Sequence, residues 1–147
     1  MRLLVYLALL GLSLTACGGS AMGDRAGETP EAAFDTYRAL LAAGELAAES
    51  QVLTTQSGDL LRRGYSTGQQ RNEASALDRA GPPQVAVRED RAVIRFQASA
   101  SVSPYFLRNS SLGWQVDLAS MASSIVFDRQ NHWRFSSTSH PYMFAFQ

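Results

Sequence analysis

The sequence contains no lysine: all thirteen basic residues are arginine, and thirteen acidic residues balance them to a formal net charge of +0. The arginines are scattered. A nucleic-acid partner usually requires a basic stripe, so that class is not expected. There is one cysteine, which leaves no intrachain disulfide to staple the fold. Only two histidines occur, His132 and His140, with no cysteine beside them. A zinc site needs three or four convergent ligands, so both read as surface or turn residues. No glycine-rich phosphate loop follows a strand pattern, and no Gly-x-Ser-x-Gly elbow is present. No metal and no cofactor are expected. No internal repeat is visible. The long apolar run at residues 3–14 falls short of the ~20 residues needed to cross a bilayer.

That run has the parts of an export leader. Arg2 supplies the positive start, the apolar stretch follows, and small residues lead to Cys17. Leu14-Thr15-Ala16-Cys17 resembles a bacterial lipobox. The resemblance implies that residues 1–16 are a signal peptide cut off before Cys17. Cys17 then carries a diacylglycerol thioether with palmitate-type acyl chains, and the membrane is a partner through that lipid. Residues 18–27, GGSAMGDRAG, lack apolar periodicity and are rich in glycine, so 17–27 reads as a flexible tether. Gly18 stands where an aspartate commonly marks inner-membrane retention. By resemblance to that sorting rule, the expected location is the cell envelope, at the outer membrane facing the periplasm. Residues 28–147 suffice for a single domain with a real core.

The first half of that domain reads as helical. Thr29 can cap a helix, Pro30 suits its first position, and Glu31 complements its positive end. Phe34, Tyr37 and Leu41 follow at helical spacing, and Gly44 suits the C-cap. A second short helix is expected over 45–53, carrying Leu46, Val52 and Leu53. A third is expected from Ser57, as cap, through Leu60, Leu61, Tyr65 and Leu77, weakened by Gly64 and Gly68 and ended by Gly81-Pro82-Pro83.

The second half reads as antiparallel strands. Residues 84–88 and 91–102 flank a Glu89-Asp90 turn. In the latter strand Ile94, Phe96, Ala98, Ala100 and Val102 share one face, and Arg95, Gln97, Ser99 and Ser101 the other. Residues 105–108 and 113–118 form the next hairpin, with Trp114, Val116 and Leu118 alternating against Gln115 and Asp117. One face is therefore expected to pack and one to meet water, with Asp117 solvated. Residues 119–124 tolerate a helix, Ile125-Val126-Phe127 favours a strand, and 132–136 and 142–146 complete the strands. The fold class is α+β, with N-terminal helices packed on a curved antiparallel sheet.

The segment TPEAAFDTYRALLAAGE (29–45) resembles the start of small bacterial lipoproteins of the nuclear-transport-factor-2-like superfamily, and GWQVDL (113–118) is similar to a strand found in many of them. The resemblance implies a cone-like domain, sometimes with a pocket at its wide end. It implies no single activity, because the superfamily holds enzymes, binders and dimerisation modules. Steroid-isomerase-like members use a tyrosine with acidic residues in an apolar cone, and Tyr37, Tyr105 and Asp117 are the candidates here. No catalytic set converges in the sequence.

Phe34, Tyr37, Phe96, Trp114 and Phe135 read as core, or as the wall of a pocket. Tyr142, Phe144 and Phe146 alternate at the tail. They either close the sheet or form a surface for a partner protein or a second copy of the chain. The favoured function is a lipid-anchored, non-enzymatic binding or interaction module, with an envelope protein or a small apolar ligand as partner. The alternative is a small cone-fold enzyme of isomerase or hydratase type acting on an apolar molecule. Anchoring is directly testable. Cys17→Ser should leave an uncleaved or soluble precursor in fractionated host cells. Freely soluble, unlipidated mature wild type would exclude the lipobox.

Overall fold

The computed structural model describes residues 23–147. The leader and Cys17 lie outside the described residues. The domain is α+β: helices pack against a four-stranded antiparallel sheet.

Helix α1, Pro30–Ala43, forms as its end signals dictate. The Thr29 side chain accepts the Ala32 N–H at 3.1 Å, Pro30 needs no hydrogen-bond partner there, and Gly44 ends the helix at φ 71°. Ala33, Phe34, Tyr37, Leu40 and Leu41 form its buried stripe. The next two helices, α2 Thr55–Leu61 and α3 Thr67–Arg79, replace the single third helix expected from sequence. The break lies at Gly64, which adopts φ 118°. Each half is then capped separately. Thr54 caps α2 in place of the expected Ser57, and Ser66 with Gln69 forms a capping box on α3.

Residues 45–53 are turns, not the expected helix. Their backbone bonds elsewhere. Val52 N–H donates to Asp24 C=O at 2.6 Å, and Val116 N–H donates to Val52 C=O at 2.7 Å. The buried Gln70 amide clamps Leu46, accepting its N–H and donating to its carbonyl, both at 3.0 Å. Leu46, Val52 and Leu53 still reach the core. The end of the proposed tether is also engaged: Gly27 bridges Trp114 in antiparallel fashion. A Cβ at Gly27 would overlap the Ala33 backbone, so only glycine fits there.

The sheet runs in the order β1 Gln84–Arg88, β2 Arg91–Arg95, β3 Tyr105–Ser110, β4 Gly113–Val116. Strand β2 stops at Arg95 rather than continuing to residue 102. Phe96 still enters the core, but the small or polar residues 97–101 that follow have little to bury, and the chain turns back before Pro104. One face carries Ala92, Ile94, Tyr105, Leu107, Trp114 and Val116 against the helices.

The opposite face is not left to water, contrary to expectation. Val93 and Phe106 lie under a second cluster with Ile125 and Tyr142. The covering pieces are α4 Leu118–Ser124, the hairpin of β5 Ile125–Phe127 and β6 Trp133–Phe135, and the tail. The tail is not a strand: Met143–Phe146 is one 3-10 turn, and Tyr142 stacks on Phe106 with ring centroids 4.2 Å apart.

Asp117 likewise departs from the expected solvated strand position and is 7% exposed. It ends β4 and caps α4. Its carboxylate accepts the Ser120 N–H at 3.0 Å, the Ser120 hydroxyl at 2.6 Å and the Tyr142 hydroxyl at 2.9 Å. Asp117→Ala removes a helix cap and leaves the Tyr142 hydroxyl buried without a partner. It should destabilise by roughly 2–4 kcal/mol in denaturant titration, and Asp117→Asn, which keeps an acceptor, by clearly less. Equal losses for the two variants would refute the cap.

Candidate functional site

Four polar side chains from separate parts of the chain meet at one point. Tyr37 comes from the buried stripe of α1, Glu73 from α3, Tyr105 from the start of β3, and Tyr65 from the link between α2 and α3. The Tyr37 hydroxyl donates to Glu73 Oε1 at 2.7 Å. Tyr105 donates to the same oxygen, and Tyr65 donates to Oε2. The rings are fixed by packing. Phe34 lies 4.9 Å from Tyr105 and 6.0 Å from Tyr37 between centroids, and Phe96 closes the cluster beside Phe34.

The cluster opens into a cavity of about 460 Å³. Leu60 and Leu61 of α2, Leu77 of α3, Met121 of α4 and Val102 supply apolar walls, with Phe127 half-exposed at 50%. That volume falls within the range of ordinary small-molecule sites. Among the described residues, Glu73 is the one charged residue lining it. Among the described residues no cation pairs with Glu73: the arginine ion pairs go to Asp78, Glu49, Asp59 and Asp90.

Burial raises the Glu73 carboxyl above its ordinary value of 4.5, and the hydrogen bonds from Tyr105 and Tyr37 pull partly the other way. Burial also pushes both phenols well above 10.0, and the neighbouring carboxylate adds to that.

Of the aromatic residues read from sequence as core or pocket wall, Tyr37 lines this cavity. Phe34, Phe96 and Trp114 belong to the main core, and Phe135 packs with Trp133 and Phe146 on the far side of the sheet. Of the acid and tyrosine candidates, Tyr37 and Tyr105 come together, whereas Asp117 holds α4 and the tail. Tyr142 is buried, and Phe144 and Phe146 are half-buried over the back of the sheet. His140 sits between Phe106 and Phe135, and no group of three potential metal ligands occurs among the described residues.

Glu73 was not singled out by sequence reasoning, nor was Tyr65 given a role. One signal was available. Glu73 is three residues after Gln70 and four before Leu77, on the same stripe of α3 that faces inward. No protein-family model, curated protein or solved structure matches the chain.

A carboxyl raised by folding binds its proton more tightly in the native state than in the unfolded state. Its contribution is present below the unfolded value and is lost as pH rises from 4.5 through the raised value. Glu73→Gln should remove that loss. The melting temperature of the variant minus that of wild type should climb across this window. A difference that stays flat with pH would show that folding does not raise the carboxyl.

Proposed function

We propose that this chain is a lipid-anchored protein of the bacterial envelope whose domain binds a small, mainly apolar molecule. The observation that carries the reading is the cavity bounded by α2, α3 and α4, with a polar cluster centred on Glu73. Apolar walls supply affinity through burial, and a few convergent polar groups orient the ligand. The lipobox-like Leu14-Thr15-Ala16-Cys17 supports anchoring, and Gly18 supports the outer membrane. The order of helices followed by antiparallel strands, with a pocket, is compatible with the nuclear-transport-factor-2-like cone. We include that cone in the same reading.

A second reading, an isomerase- or hydratase-type enzyme, is favoured by the tyrosines and carboxyl meeting in an apolar site. It is the weaker one for a chemical reason. Each phenol has a single proton, and all three are donated to Glu73. None is left to stabilise an oxyanion on a substrate.

Ligand-induced thermal shift tests binding. The protein as its host processes it, reconstituted in lipid nanodiscs, should melt at a higher temperature with decanol. Ala122, exposed on α4 and lining the cavity, offers a way to fill it. Ala122→Trp should keep the fold and lose the shift. An equal shift in both proteins would place the alcohol elsewhere and overturn the reading.

A further inference from the structure

We propose that the cavity selects apolar amines in their protonated form, seating the ammonium group on Glu73, and rejects apolar carboxylates of the same size. The inference rests on the binding function proposed above and adds the chemical class of the ligand.

The Glu73 cluster offers acceptors, and the only other polar side chains lining the cavity among the described residues are the hydroxyls of Ser101 and Ser103. Tyr37, Tyr65 and Tyr105 spend their hydroxyl protons on Glu73. With those protons donated, the carboxylate and the three phenol oxygens have only acceptor capacity left. An ammonium group brings up to three N–H donors to such a site, whereas an alcohol brings one and an ionised acid none.

Charge points the same way. Among the described residues Glu73 is the one ionisable carboxyl lining the cavity, and no cation compensates it. A carboxylate taken out of water without a counter-ion is costly, and a ligand cation would supply what the protein withholds. A second carboxylate in the same low-dielectric space would be repelled. The remaining walls, Leu60, Leu61, Leu77 and Met121, suit the apolar body of the ligand, and Phe127 is available to cover it.

The test compares decylamine, decanol and decanoate near neutral pH, by thermal shift on wild type, Glu73→Gln and Ala122→Trp in nanodiscs. In wild type the amine should reach its half-maximal shift at about one-tenth the concentration needed by the alcohol, as expected for one charge-assisted hydrogen bond. Decanoate should give no shift. In Glu73→Gln, whatever its response to decanol, the amine should no longer act at a lower concentration than the alcohol. If decanol shifts wild type but not Ala122→Trp, and the amine shows no advantage, the inference is overturned while the binding function stands. An amine preference that survives Glu73→Gln overturns it as well. If none of the three probes distinguishes wild type from Ala122→Trp, the cavity is not a binding site and both fall.

Discussion

Asp117 is where the sheet stops, and three parts of the molecule depend on its carboxylate. It accepts the backbone N–H that starts α4, the Ser120 hydroxyl beside it, and the Tyr142 hydroxyl from the tail. The turn into α4 builds one wall of the cavity, because Leu118, Met121 and Ala122 project from that helix. Tyr142, held by the same carboxylate, lies flat on Phe106 and closes the far side of the sheet. A buried carboxylate with three donors is tolerated where an unpaired one would not be. Here it couples the back of the sheet to the wall of the site.

Glu73 presents a contrast. It too accepts three hydrogen bonds, but all come from phenols, and it borders open space instead of packed chain. Asp117 fixes a helix end, so its acceptors are consumed by structure. Glu73 borders a cavity that, among the described residues, brings no cation of its own. That difference in surroundings separates an architectural acid from a candidate ligand-binding one.

Much of α1 is legible in the sequence because its signals are local. Thr29, Pro30 and Gly44 act within a turn of where they stand, and Phe34, Tyr37 and Leu41 keep a helical period. The two sheet hairpins are legible for the same reason, since alternation and turn residues lie side by side. Residues 45–53 misled because Leu46, Val52 and Leu53 are apolar at near-helical spacing, yet their backbone is captured by Asp24, by the Gln70 side chain and by β4. Residues 142–146 misled through strict alternation. A 3-10 turn buries Tyr142 and partly buries Phe144 and Phe146 without any strand partner.

By itself the sequence determined the α+β class, the ends of α1 and the pairing of the two sheet hairpins. Each is fixed by interactions a few residues apart. The sequence is also the sole basis for reading Cys17 as an anchor, because that segment lies outside the described residues. Only the tertiary structure decided that both sheet faces are covered, that Asp117 is interior, and that Glu73 gathers Tyr37, Tyr65 and Tyr105 around a cavity. Those outcomes depend on contacts between segments far apart in the chain. A residue's period records which side of its own element it occupies, and carries no information about what will be packed against that side.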